Sequence, residues 1–231
     1  MIGRRRVLGV IPARGGSKGL PGKNMLPING RPLLAWSVDA AQAACHIDRV
    51  VLSSEDEAII GAARAYGCDV PFIRPKSLAT DTAATFDVVL HALDSLPGYD
   101  VVVVLQPTSP LRTAADIGAA CERFAVSGAS SCVSVTAVSQ SPHWMYRLDE
   151  HQTLVPLLET FDGISRRQDL PPIYALNGAL YVADVSWLRS NRGFVGKDTI
   201  AYVMPAERSI DIDSAADFEA FTRAVTEGAH A

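Results

Sequence analysis

The sequence predicts an α/β domain, a mostly parallel sheet sandwiched by helices. Three observations carry that reading. Short aliphatic runs alternate with amphipathic segments from residue 7 to about 138. That order gives parallel strands joined by covering helices. Val101–Leu105 is five aliphatic residues in succession, as a strand buried on both faces requires. Finally, the chain has 231 residues, of which 48% are hydrophobic and 20% charged. This is enough for one domain with a sizeable core, and it excludes a largely disordered chain.

The elements follow in order. Val7–Ile11 is an apolar run closed by Pro12 and reads as a buried strand. Leu33–Ala44 has helical spacing. Arg49–Ser53 reads as a second strand, and Glu55–Tyr66 as a helix with Gly67 as its C-terminal cap. Val70–Ile73 reads as a short third strand. Asp81–Ser95 reads as a helix with Thr82 or Thr85 near its start and Pro97-Gly98 beyond its end. Asp116–Phe124 is helical and Ser131–Val138 is a strand. Regularity fails from about Gln140 to Pro172, where Trp144, Tyr146, Pro156, Pro171 and Pro172 fall. We read 140–172 as a hairpin-like excursion for dimerisation within a single domain, 1–231. Asn177–Ala183 and Ala201–Met204 resume as strands, and Ala215–Thr226 closes the chain as a helix.

Charge narrows the function. The formal net charge is −4, so neither a nucleic acid nor an anionic membrane is the expected partner. Yet seven of the 21 basic residues lie in the first 31 positions, and no Asp or Glu precedes Asp39. An acidic chain with one acid-free basic segment points to a local anion site. The four cysteines contain no CxxC pair, which argues against zinc and against a disulfide framework. They read as reduced thiols in a cytoplasmic protein. No stretch approaches 18 apolar residues, so no membrane span is expected.

Residues 11–24 read IPARGGSKGLPGKN. Gly15, Gly16, Gly19 and Gly22 allow close backbone approach and positive φ. Arg14, Lys18 and Lys23 supply charge, and Ser17 and Asn24 supply polar contacts. Glycine-rich amides beside Arg and Lys suit a polyphosphate. Neither a P-loop nor GxGxxG is present. A solvated glycine turn has the same composition, so the loop alone leaves both readings open.

The string Ile11–Asn24 resembles the opening motif of the acylneuraminate (sialic acid) cytidylyltransferases. LATDTAAT at 78–85, LQPTSPLR at 105–112, RRQDLPPIYALNGALY at 166–181 and SIDID at 209–213 agree in order and spacing. The resemblance runs from about Val7 to Phe218. It implies a nucleotide-diphosphate-sugar transferase-like fold, a homodimer, CTP as substrate and Mg²⁺ as cofactor.

The resemblance also implies residue roles. Nucleotide contacts fall on Arg14, Ser17, Lys23, Asn24, Arg74, Ala83 and Thr85, although Thr85 equally suits a helix cap. Sugar-acid contacts fall on Gln106, Arg112, Arg167, Asn177 and Tyr181. Gln106 follows the strand Val101–Leu105 directly, and Arg112 equally suits an ion pair with Asp116. Asn177 and Tyr181 are four apart, which on a strand puts them on one face. Asp211 and Asp213 alternate with Ile210 and Ile212, so both carboxylates face one way, as a Mg²⁺ site needs. Asp213 or Ser214 also suits a cap for the last helix, although the resemblance favours the metal. Arg14, Lys23 and Asp211 are the catalytic candidates. The two cations answer the charge that builds on departing pyrophosphate. The five histidines lie outside these strings, and no residue stands out as a covalent nucleophile.

The implied reaction transfers CMP from CTP to the anomeric hydroxyl of a nonulosonic acid. Trp144 and Met145 in the excursion point to the bacterial legionaminic and pseudaminic branch. The alternatives are another acid, such as 3-deoxy-octulosonate or a phosphonate, and a CTP-binding regulatory module without turnover. Intact Asp211 and Asp213 argue against the module.

Overall fold

The computed structural model describes residues 1–158, 166 and 169–228. Strands β1 (Val7–Pro12), β4 (Arg49–Ser53), β5 (Val101–Val104), β6 (Ser131–Ala137), β9 (Tyr174–Asp184) and β10 (Thr199–Val203) form one sheet in the order β10-β6-β9-β5-β1-β4. β9 runs antiparallel to both its neighbours, and every other pairing is parallel. Two small antiparallel pairs lie outside it: β2 (Pro27–Ile28) with β3 (Arg31–Pro32), and β7 (Tyr146–Leu148) with β8 (Leu154–Pro156). The second pair is the hairpin expected in the excursion.

Helices cover both faces. α1 (Leu33–Gln42), α2 (Glu57–Ala65) and α4 (Ala114–Ser127) bury Leu34, Val38, Ile59, Ile117 and Phe124 against Val101, Val103, Leu180 and Val182. On the other face α3 (Thr85–Ser95) and α5 (Val185–Asn191) pack Phe86, Val89, Leu93 and Leu188 onto Val102, Val104 and Ala183. β5 is wholly buried because its alternate valines feed two cores at once. α6 (Ala215–Gly228) packs Phe221 with Ile212, Ile28 and Leu33 in a third, smaller cluster.

Local chemistry explains most boundaries. Thr113 and Asp116 cap α4 reciprocally, and Ser214 and Asp217 do the same for α6. Gly67, at φ +76°, ends α2 as expected. The cap of α6 is therefore Ser214, not Asp213. The strand expected at Val70–Ile73 does not form: only an isolated bridge, Val51 to Asp69, extends the sheet there. Pro71 has no amide proton to give a ladder. Nor does α3 begin at Asp81. It begins at Thr85 with no side-chain cap, so neither Thr82 nor Thr85 serves that role.

The register of β9 matters most for the site. Its pairing with β6 shifts between Val133 and Val135, at Gly178, whose φ is +71°. Val133 pairs with Tyr181 and Val135 with Leu176, an offset of three residues, and an odd offset reverses which face later side chains take. Asn177 therefore points to the side of Ser134, while Tyr181 joins the opposite core and packs on Phe194 at 5.1 Å. The expected common face for Asn177 and Tyr181 is corrected by this bulge.

Among the described residues Asp116 is the least exposed carboxylate, 1% exposed. Burial pushes its pKa up, but bonds from Arg208, Thr113 and Tyr202 prevail and hold it near about 2. A depressed carboxyl stabilises the fold above its unfolded pKa and loses that contribution as pH falls toward the folded value. Asp116→Asn should cost about 2 kcal/mol at neutral pH. Denaturant titrations of both proteins should converge between pH 4 and 2, since the native value is about 2.

Candidate active site

The loops that follow β1, β4 and β5 converge past the carboxyl ends of their strands, where open α/β sheets bind ligands. A cleft of about 220 Å³ lies there, lined by Arg14, Lys23, Asn24, Arg74, Ala83, Thr85 and Gln106 among others. Seven residues expected at the site from separate stretches of sequence thus share one wall.

The glycine loop is shaped by what its glycines touch. A Cβ on Gly15 would collide with the Asp56 carboxylate, and one on Gly19 would come within 2.5 Å of the Asp213 carbonyl oxygen. The Gly15 amide donates to Glu55 at 2.8 Å. The Asn24 carboxamide, almost buried, donates to the Arg14 carbonyl oxygen at 3.0 Å. Asn24 therefore braces the loop while lining the cleft. Ser17 is half-buried and stands apart from the cleft wall.

Arg74 is 4% exposed and commits its guanidinium to Ser53, to Oγ at 3.1 Å and to the carbonyl oxygen. Burial lowers its pKa to about 10, with Glu55 opposing and Arg14 adding to the shift. Arg74 therefore presents a fixed cationic wall.

The late acidic segment lies against this loop. The Lys23 ammonium donates to Asp213 Oδ1 at 2.7 Å and to the Ile212 carbonyl oxygen at 3.1 Å. The Ile212 amide donates to the Thr108 carbonyl oxygen at 2.8 Å, and Ile212 is wholly buried. Asp211 and Asp213 are exposed on either side of it, so the expected alternation holds on an irregular segment. Protein around the Asp211 carboxyl raises its pKa despite that exposure. Asp213 and Asp217 add to the rise, while the Thr108 hydroxyl and Lys23 oppose it. Burial, then the Asp211 charge, raises the Tyr181 phenol.

This donor set fits a hard divalent cation. The Asp213 charge raises the proton affinity of Asp211, and a cation would relieve that repulsion. Among the described residues no cluster of three or more His, Cys, Asp or Glu forms a metal cage. Two carboxylates are sufficient for a Mg²⁺ that keeps waters and shares phosphate oxygens.

Two expected sugar-acid contacts are corrected. Arg112 is 2% exposed and donates to the carbonyl oxygens of Gln106 and Ala179, at 3.2 and 2.7 Å, and to Ser37 Oγ at 2.8 Å. It faces inward, and Asp116 pairs instead with Arg208. Asn177 is 5% exposed. It accepts from Ser134 and the Ala179 amide and donates to Ser209, so its amide is consumed inside the fold. Arg167 lies outside the described residues.

One carboxylate escaped the sequence reading. Asp81 sits within LATDTAAT and bridges Arg14 and Lys18, each at 2.8 Å, on the cleft wall. Its position inside a string shared with the resembled family was the available signal.

Comparison with known proteins gives the family. The family model described as Cytidylyltransferase matches residues 8–184. The CMP-N,N'-diacetyllegionaminic acid synthase of Legionella pneumophila is 37% identical over 92% of this chain and 93% of its own length. The pseudaminic acid cytidylyltransferase of Campylobacter jejuni is 34% identical over 91% of this chain and 92% of its own. The N-acylneuraminate cytidylyltransferase of Escherichia coli is 34% identical over 94% of this chain, which spans about half of that longer protein, 51%. Among solved structures, CMP:2-keto-3-deoxy-manno-octonic acid synthetase complexed with CTP superposes with a TM-score of 0.75, covering 96% of this chain and 99% of that one, at 16% identity, a likeness of fold. With a family model over most of its length and relatives above 30% identity end to end, the chain belongs to the cytidylyltransferase family.

Proposed function

We propose that the protein transfers CMP from CTP to the anomeric 2-hydroxyl of a nonulosonic acid and releases pyrophosphate. The observation that carries this reading is the contact between Lys23 and Asp213 at the edge of the cleft lined by Arg14, Arg74 and Gln106. It joins cations suited to a leaving pyrophosphate to carboxylates suited to a metal. Relatives named for legionaminic, pseudaminic and acylneuraminic acids support the substrate class.

The C2 hydroxyl oxygen attacks the α-phosphorus in line, and the bond to the β-phosphate breaks. Arg14 and Lys23 hold the outer phosphates and neutralise the charge that grows as pyrophosphate leaves. Arg14 offers a fork of donors and Lys23 a point charge. Ala83 and Thr85 border the base, with Arg74 as a fixed wall behind it. Gln106 and Tyr181 face the acceptor. Asp211 and Asp213 would hold Mg²⁺, which supplies charge neutralisation at the phosphate oxygens when bound. The cation that pairs with Asp213 is Lys23, so metal, lysine and phosphate share one charge network.

The reading places the enzyme in a reducing cytoplasm. Cys68, Cys121 and Cys132 are buried free thiols, and no described helix is long and apolar enough to cross a membrane. It also makes the protein a homodimer. Leu148, Leu154, Tyr174 and Leu176 expose apolar side chains on the β7–β8 hairpin and the start of β9, and exposed apolar surface of this kind is what interfaces cover.

The test is pyrophosphate release with CTP, Mg²⁺ and a panel of sugar acids. N,N'-Diacetyllegionaminate should be used with at least tenfold higher kcat/KM than N-acetylneuraminate, a margin of about 1.4 kcal/mol in transition-state binding. Silence across the panel, with CTP bound, would favour a module without turnover. Asp211→Ala should lower kcat about a hundredfold while leaving the melting temperature within a degree or two. Leu148→Asp combined with Leu154→Asp should halve the solution mass in light scattering, while the far-UV circular dichroism stays that of the wild type.

A further inference from the structure

Asp81 pairs with two cations of the glycine loop, Arg14 Nη2 and Lys18 Nζ, each at 2.8 Å. It stands on the wall of the same cleft as Arg14, Lys23 and Gln106. Two carboxylate oxygens divided between a guanidinium and an ammonium reproduce the way a phosphate group would engage them.

The surroundings make this pairing exchangeable. The Arg14 backbone is held, since the Asn24 carboxamide takes its carbonyl oxygen and the Ala13 amide bonds Ser53. Only the side chain is left to turn between partners. The three side chains are part-exposed to exposed: Arg14 32%, Asp81 37% and Lys18 84%. Asp81 sits in a short turn closed by the Ala83 amide on the Thr80 carbonyl oxygen, outside any helix. Arg14 gives it one nitrogen, whereas a phosphate accepts the fork in bidentate fashion. Lys18 and Arg14 together hold the Asp81 carboxyl below its usual pKa, so it is a full anion at neutral pH.

We propose that Asp81 is a specificity-determining residue, an internal counter-ion that competes with the outer phosphates for Arg14 and Lys18. The proposal rests on the reading of the cleft as the CTP site. A ligand with a chain of phosphates displaces Asp81 because it brings more charge and a better fork. A nucleoside monophosphate does not reach these cations and leaves the pair closed. After cleavage, Asp81 competes with pyrophosphate for the same two cations and speeds its release. The residue thus widens the gap between binding CTP and retaining a product.

The test is titration calorimetry of the whole protein with inorganic pyrophosphate, CTP and CMP at fixed ionic strength. Asp81→Asn should tighten pyrophosphate and CTP about threefold to fivefold, the upper range for loss of a partly exposed ion pair, and leave CMP within twofold. Asp81→Glu should return both toward wild type. Unchanged or weaker pyrophosphate binding in a folded Asp81→Asn protein would overturn the proposal, as would equal tightening of CMP, which marks a general field effect. Should Asp81→Asn fail to fold by circular dichroism, Asp81→Ser is read in its place by the same criteria. A wild type that binds neither CTP nor pyrophosphate would overturn the assignment of the cleft and this proposal with it. A wild type that binds both, beside an indifferent variant, overturns this proposal alone.

Discussion

The contact between Lys23 and Asp213, 190 residues apart in sequence, is the joint on which the site depends. The charge pair does not by itself hold the two regions together. Asp213 is largely exposed, and such pairs contribute about 0–1 kcal/mol. Burial of Ile212 and its amide bond to Thr108 set the position of the acidic segment. Gly19 then permits the approach, because any Cβ there would press on the Asp213 carbonyl oxygen. Apolar anchoring fixes where the charges are, and the charges themselves stay free to change partners.

That separation resolves an apparent contradiction in the charge pattern. The first 38 residues carry cations and no acid, yet in three dimensions Arg14, Lys18 and Lys23 all have carboxylate partners. Asp81 and Asp213 arrive from other parts of the chain. Unopposed cations this close would repel one another and strain the loop. Neutralising them with exposed, weakly held acids keeps the loop folded and leaves the cations available to a polyanion of higher charge density.

The sheet was legible in the sequence because buried parallel strands must be aliphatic on both faces, and Val101–Val104 and Val7–Pro12 are. The cleft residues were legible because their strings fall directly after those strands. Legibility failed where a single backbone or packing event overrides the local pattern. Period-two reasoning put Asn177 and Tyr181 together, and one residue in a left-handed conformation at Gly178 separated them. Arg112 read as a substrate contact because it ends the LQPTSPLR string at 105–112. Its burial depends on acceptors at Ser37, Gln106 and Ala179 that converge only in the folded chain. Asp81 was hidden for the opposite reason, since it read as the first residue of a helix until its partners Arg14 and Lys18 were in place.

The buried polar residues beneath and beside the cleft form a pattern of their own. Arg74 ties the chain after Ile73 to the end of β4 through Ser53. Arg112 ties the loop after β5 to β9 and α1. Asn177 joins β6 and β9 to Ser209, and Asp116 joins α4 to Arg208. Each cross-link restrains a segment that ends in, or leads to, a cleft residue. Apolar packing is dense but non-directional and tolerates small shifts among similar side chains. Directional bonds, paid for by desolvating the arginines, do not. In-line attack on phosphorus depends on alignment at the scale of an ångström or less. A rigid polar floor beneath exchangeable surface charges supplies that alignment, and it accounts for why residues resembling ligand contacts are spent inside the fold.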